Sequence, residues 1–329
     1  MQYATIQGID QRVSRIAFGC MSTVPSQMYA GLQVDEAVRT MQVAMDLGIT
    51  LFDTARAYAD GESERQLGRA IKGRRDELVI ASKPKAGDLS RDEIVSECEQ
   101  SLKSLDIDCI DLYQIHWPRR VVPLEETARA MESLVTSGKV RAIGVCNFGP
   151  LDMQEWLDTA PCATNQIAFS LLVRCPEFGT EPVCEERGVG ILCYSPLAQG
   201  LLAGVYGSAD DVPSGKARTR HFSKERPEAR HTESGCEAET FTAIDRIRGV
   251  AEGLGVPMGD VAIAWLLARP SVTSVLIGAS RPDQVERNVR ALSVELSEGD
   301  IAELNVATED VKSRLGESID MWATPPRTR

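Results

Sequence analysis

Residues 51–71 read LFDTARAYADGESERQLGRAI. The stretch holds one complete structural unit. Leu51, Phe52 and Asp53 end an apolar, extended run. A short loop follows, and Leu67, Ala70 and Ile71 then recur at helical spacing. The tetrad Ser63-Glu64-Arg65-Gln66 has the pattern of a capping box at the start of that helix. A strand, a loop and an amphipathic helix in this order make the first half of a βαβ unit. The strand closes on a carboxylate, Asp53, and five residues later the loop carries a phenol, Tyr58. A buried strand ending in an acid calls for a partner for that acid.

The same rhythm repeats in both directions. Strands are expected at 16–19, 50–53, 78–82, 110–116, 142–146, 164–168, 190–194 and 274–277. Each is a short apolar or β-branched run. Helices are expected between them at 34–47, 63–71, 91–105, 124–137, 151–159, 181–186, 240–254 and 260–268. Two more, at 284–292 and 297–306, close the chain. Gly48 stands where a helix C-cap glycine belongs. An N-terminal hairpin turns at Gly8 and Asp10. Eight strands alternating with helices predict a (β/α)8 TIM barrel spanning 1–329 as a single domain, with the hairpin in front and extra helices at the C-terminal end. A doubly wound sheet is the alternative, but FGCMSTVP rather than a G-x-G-x-x-G follows the first barrel strand. One connection is long: 205–239, with the basic core KARTRHFSKERPEAR. It is expected to be either a solvated flap or a lid over a ligand.

Composition narrows the function. With 43% hydrophobic and 26% charged residues, the 329-residue chain has the make-up of a soluble globular protein. A net charge of −12 disfavours nucleic acid as a partner, because that binding rests on Lys and Arg at phosphates. No apolar run approaches the roughly 20 residues of a membrane-spanning helix. The nine cysteines include no C-x-x-C pair and mostly sit in apolar runs, as expected for reduced thiols in a cytoplasmic protein. MQYATIQGIDQR lacks the apolar core of a secretion signal.

In a (β/α)8 barrel the reactive groups gather at the C-terminal ends of the strands. Asp53 ends the second strand and Tyr58 follows it. Lys83 ends the third, and His116 the fourth. Each has an ordinary structural role available, as a loop cap, packing residue, solvated turn or satisfied histidine. Together they form an acid–base set. An ammonium favours a neighbouring phenolate and lowers the phenol pKa from about 10. A carboxylate keeps that ammonium charged and fixed, and an imidazole can bind a substrate oxygen. The set suits proton transfer to or from an oxygen on a reacting carbon. It does not suit a metal, and no G-x-S-x-G elbow is present for acyl transfer.

LFDTARAYADGESERQLGRAI, the SK of VIASKPK, DLYQIHWP, GKVRAIGVCNF, YSPLAQGLLAG and IGASRPDQVERN occur in this order across almost the whole chain. This run resembles the motifs of the aldo-keto reductase superfamily, most closely the bacterial branch similar to the potassium-channel β-subunit-like reductases. The resemblance implies that Tyr58 is the general acid, that Lys83 and Asp53 tune it, and that His116 orients the substrate. It implies an extended nicotinamide cofactor along the barrel mouth. Cys20, Met21 and Asp53 would lie near it, Asn147 and Gln166 would hold the carboxamide, and Tyr194 would stack on the ring. Ser195, Pro196, Leu197, Gly200 and Leu201 would follow the pyrophosphate. Arg218 or Arg220 from the long loop would reach it too. Gly278, Ser280, Arg281, Gln284 and Asn288 would hold the adenosine end and any 2′-phosphate.

Two positions depart from the family pattern: Cys146, where Ser is common, and Arg287, where Glu is common before Asn288. With Arg281, these lead to NADP(H) as the expected cofactor, with NAD(H) as the alternative. The implied reaction is reduction of an aldehyde, ketone or sugar, reversible in principle. The other readings are a Schiff-base lyase using Lys83 and a slow-turnover cofactor-sensing subunit. The substrate is a small carbonyl or alcohol, and Tyr29 and Trp117 are expected to help wall its pocket. The sequence carries no signal of oligomeric state.

Overall fold

The structure, a computed structural model, describes residues 1–25, 33–85 and 87–329. Its strands are β1 (Tyr3–Ile6), β2 (Ile9–Ser14), β3 (Ile16–Gly19), β4 (Leu51–Asp53), β5 (Val79–Ser82), β6 (Ile110–Ile115), β7 (Val140–Cys146), β8 (Thr164–Ala168), β9 (Gly190–Tyr194) and β10 (Val272–Ile277). β3 to β10 close into a barrel in chain order, with β10 pairing back onto β3. Neighbours within the barrel are parallel. β1 and β2 form the separate antiparallel hairpin.

The barrel strands are buried on both faces, which is why they read as apolar runs rather than alternating ones. Ala17, Leu51, Val79, Ala81, Leu112, Leu192 and Leu276 pack together, and Ile6, Ile9 and Val13 of the hairpin join the same cluster. A larger cluster contains Phe18, Phe52, Tyr113 and Ile191 from the strands and Met41, Leu67 and Ile263 from the helices. Register decides where chemistry can sit. Gly19 pairs with Asp53, Ser82 with Tyr113, Cys146 with Gln166 and Ala168 with Tyr194. The C-terminal ends are therefore nearly level, and residues just past them share one mouth.

Helix ends repeat and correct the sequence expectations. The helix Val34–Asp46 stops at Leu47, and Gly48 follows with φ +85°, the left-handed conformation a C-cap glycine supplies. The capping box expected at Ser63 is absent. The helix Glu62–Ala70 starts one residue earlier, after Gly61 at φ +79°. The Ser63 hydroxyl is buried instead, accepting from Thr54 Oγ1 at 2.8 Å and donating to Cys20 O at 3.1 Å. A capping box does form at Ser297 and Asp300: Ser297 Oγ accepts from Asp300 N, and Asp300 Oδ2 from Ser297 N. The C-terminal helices are Glu298–Ala307 and Glu309–Leu315; the second was not anticipated.

The long segment after β9 is not a solvated flap. It runs from 205 into the helix Glu237–Leu254, and its last three expected residues are already helical. His221 is buried, with Nε2 2.7 Å from Leu172 O and Nδ1 3.0 Å from Thr219 Oγ1. The segment is tied to the C-terminal tail by a parallel bridge between Arg230 and Ala323 and by Thr232 N donating to Thr324 Oγ1. Loop and tail form one layer over the barrel mouth. No single helix among the described residues is long and apolar enough to cross a membrane.

Candidate active site

Asp53 finds its partner in Lys83. Lys83 Nζ lies 2.6 Å from Asp53 Oδ1 and also donates to Thr54 O at 2.8 Å. Asp53 Oδ2 accepts from Gln114 Nε2 at 3.0 Å and Gln166 Nε2 at 2.8 Å. Lys83 is completely buried and Asp53 only 2% exposed. Burial works to lower the Lys83 pKa, but Asp53 and the neighbouring Tyr58 and Cys146 outweigh it, so the ammonium is held above its ordinary range.

Tyr58 sits on a turn bent by the left-handed residues Ala59, Asp60 and Gly61. Lys83 Nζ lies 5.3 Å from its ring centroid. The expected lowering of its pKa does not win. Burial dominates, Lys83 opposes it, and the net effect raises Tyr58 to about 12. The phenol stays protonated throughout the neutral range. The His116 ring meets Tyr58 edge to face, with centroids 5.9 Å apart and planes at 78°. Burial, helped by the cations Lys83 and Arg327, pushes His116 down to about 3, so its imidazole is neutral. An intact phenol and a neutral imidazole thus meet above a locked ion pair.

These groups open onto a cavity of about 630 Å³. At its inner end lie Asp53, Tyr58, His116, Cys146, Asn147, Gln166 and Tyr194. Tyr194 OH donates to Asn147 Oδ1 at 2.7 Å, and Asn147 Nδ2 donates to His116 O at 3.0 Å. The Gln166 NH2 is held on Asp53, so what it has to offer a ligand is its carbonyl oxygen. Along the cavity lie Ser195, Pro196, Leu197 and Gly200, with Lys216, Arg218 and Arg230 from the long loop. Asn147, Ser195, Ala198 and Gln199 all have left-handed φ, a strain that non-glycine residues keep where the fold requires it. At the far end are Gly278 and Ser280, with Gln284 and Asn288 on the helix Pro282–Val289. Gln284 Oε1 accepts from Ser280 N at 2.7 Å and from its Oγ at 3.2 Å.

The remaining expected residues fall elsewhere. Met21 and Trp117 line the cavity. Cys20 and Leu201 are buried behind its lining. Arg220 does not reach it. Its guanidinium is used on Ser318 O, on Glu233 Oε1 at 2.7 Å and on Leu315 O, where it clamps the tail. Of the two loop arginines, Arg218 is the one at the cavity. Arg281 sits exposed at the rim, paired with Asp283 at 3.0 Å, and Arg287 shares the same carboxylate at 3.2 Å. Tyr29 lies outside the described residues.

The family model described as "Aldo/keto reductase family" matches residues 15–309. The chain belongs to the aldo/keto reductase family. Aldo-keto reductase YhdN of Bacillus subtilis is 33% identical over 95% of each chain. An Arabidopsis thaliana protein named "Probable voltage-gated potassium channel subunit beta" is 31% identical, over 89% of this chain and 92% of its own. The aldo/keto reductase of Klebsiella pneumoniae, solved with NADP and acetate, superposes with a TM-score of 0.74 at 30% identity, over 94% of this chain and 96% of that one. The protein is thus an oxidoreductase of the aldo/keto reductase type.

For this aldo/keto reductase the sequence reading missed a third wall of the cavity. Trp322 and Arg327, on the tail, both line it. The Trp322 ring stacks on Tyr194 (centroids 5.8 Å apart, planes at 22°) and meets Trp117 edge to face at 6.2 Å. Arg327 lies 3.5 Å from the Trp117 ring centroid. Nothing in the local pattern around SIDMWATPPRTR marks it as part of a site; only chain return brings it there. Gln114 was also missed, although its place two residues before His116 puts it on the strand that His116 follows.

Proposed function

We propose that this protein reduces the carbonyl of an aldehyde, ketone or sugar with NADPH, with Tyr58 as the proton donor. The observation that carries this reading is the buried Asp53–Lys83 pair set against a protonated Tyr58 and a neutral His116 at one end of the cavity. The donor set fits a dinucleotide. Asn147 and Gln166 are amides suited to a carboxamide, and Tyr194 gives an aromatic face. The left-handed turn at Ser195–Gly200, with Lys216 and Arg218, suits a pyrophosphate. Ser280, Gln284 and Asn288 suit the adenosine end, close to a helix N-terminus. Arg281 and Arg287 are the cations available to a 2′-phosphate. When bound, NADP(H) supplies the hydride.

The residues do the rest. His116, as a neutral imidazole, hydrogen-bonds the substrate oxygen and sets its direction. Tyr58 OH donates its proton to that oxygen as negative charge grows on it. Lys83 stabilises the phenolate left behind, and Asp53 keeps Lys83 charged and immobile. In the reverse direction the same phenolate accepts the proton of an alcohol. The lyase reading loses support. Lys83 is fully buried and held by Asp53 and Thr54 O, with no face on the cavity for a substrate carbonyl.

The test is a fluorescence titration with NADPH beside NADH, followed by oxidation of the bound nucleotide with an aldehyde panel. Saturable NADPH binding with turnover is expected. Preference for NADH would overturn the role given to Arg281 and Arg287. Tight binding without turnover would replace the reductase by a cofactor-sensing subunit.

A further inference from the structure

The tail brings an arginine to the substrate end of the cavity, and the way it is held is informative. Asp320, fully buried, accepts from Arg327 Nε and Nη2, both at 2.8 Å, and from the backbone N–H groups of Trp322 and Arg327. This bond uses one edge of the guanidinium and leaves Nη1 outside the pair. The guanidinium plane rests against the Trp117 ring. Trp117 follows His116 directly, and the Arg327 charge is felt at the His116 imidazole. Yet the Arg327 side chain remains 44% exposed. A purely structural ion pair has no need of an exposed arginine that also lines a cavity. An arginine pinned on one edge and stacked on an indole is pre-organised to bind an anion with the other.

We propose that Arg327 is a specificity-determining residue, and that the preferred substrates are small, flat carbonyl compounds carrying a carboxylate or phosphate. The reactive oxygen lies at Tyr58 and His116, the body of the molecule against Trp117 and Trp322, and the anion on the free edge of Arg327. The identification of the substrate class rests on the reductase reading above. Asp320 does not cancel the site. It orients the guanidinium and spares the protein an unpaired cation when no substrate is present. The remaining cavity cations, Lys216, Arg218 and Arg230, come from the long loop, not from the tail's Asp320–Arg327 pair.

The experiment compares 4-carboxybenzaldehyde with benzaldehyde, using NADPH and the full chain. A hydrogen bond to a charged group is worth about tenfold or more in kcat/KM, so the carboxylated aldehyde is expected to be preferred by at least about that factor, chiefly through KM. The variant Asp320→Asn/Arg327→Gln removes both charges together, so neither a lone carboxylate nor a lone cation is left, and keeps a polar side chain at each position, which guards against collapse of the tail. It is expected to lose that preference, with a larger fall in kcat/KM for the carboxylated aldehyde than for benzaldehyde. A wild-type ratio near one, or a preference unchanged in the double variant, overturns the proposal. If neither aldehyde is reduced, the reductase reading fails separately. Quenching of tryptophan fluorescence then decides: saturation by benzoate but not benzyl alcohol, lost in the double variant, supports the anion site. Equal quenching by the two, or none, overturns it.

Discussion

The inner end of the cavity and its rim are built on opposite principles. At the inner end, Asp53, Lys83, Gln114 and Gln166 sit on or directly after barrel strands and are fully or almost fully buried; both Asp53 oxygens are hydrogen-bonded within the group. At the rim, Arg281, Asp283 and Arg287 form exposed pairs, and Lys216, Arg218 and Trp322 come from a loop and a tail. The comparison separates two tasks. Proton transfer needs groups fixed within a fraction of an ångström, and a closed barrel supplies that rigidity. Ligand choice needs surfaces that vary without disturbing the barrel, which loops provide.

The largest expected effect lies at the inner end. Tyr58→Phe removes the proton and little else, so turnover is expected to fall by roughly 10²–10⁴ while NADPH affinity stays unchanged. Single-turnover kinetics beside a binding titration will show it; wild-type chemistry in this variant would remove Tyr58 as the acid. Next is the ion pair. Asp53→Asn leaves a buried ammonium without its counter-charge, and a loss of about 3–5 kcal/mol in unfolding free energy is expected from denaturant melts. The double variant Asp53→Asn/Lys83→Met should recover much of that stability but none of the activity, showing that the pair exists for chemistry.

Acid should act on His116 and His221 before it reaches the rim. His116 and His221 are held at about 3 and about 4, below the ordinary 6.5. The unfolded chain therefore binds protons that the folded chain refuses. Their contribution to stability is complete above about pH 6.5 and is lost as pH falls toward 4 and 3, so the melting temperature should drop steadily through that window. A melting temperature flat from about pH 6.5 to 4 would mean these imidazoles are not desolvated. The smallest effect belongs to the rim. Asp283→Asn frees Arg281 and Arg287 from their shared partner. A gain of only a few-fold in NADPH over NADH affinity is expected, shrinking with added salt, and no change in melting temperature.

Much of this division is visible in the sequence. Every barrel strand appears within a few residues of its expected span, because apolar runs separated by turn residues leave little choice. The proposed acid–base residues are legible because strand ends in a parallel barrel must converge. Ser63 misled because a serine three residues before a glutamine looks the same whether its hydroxyl caps a helix or, as here, lies buried against Thr54 and Cys20. The sequence left Arg218 and Arg220 equivalent for a similar reason. A basic loop announces cations without saying which points inward, and a spacing of two residues separates the cavity arginine from the one that clamps the tail.

The sequence by itself determined the barrel, the order of its strands and the four residues at their ends, since these follow from local periodicity and from a register that the hydrophobic pattern enforces. Only the tertiary structure decided the protonation of Tyr58 and His116. Burial and neighbouring charges act through space and are not encoded at either position. Only the tertiary structure brought Trp322 and Arg327 against Trp117, because a tail more than two hundred residues further along the chain returns to the mouth through contacts that no local pattern records.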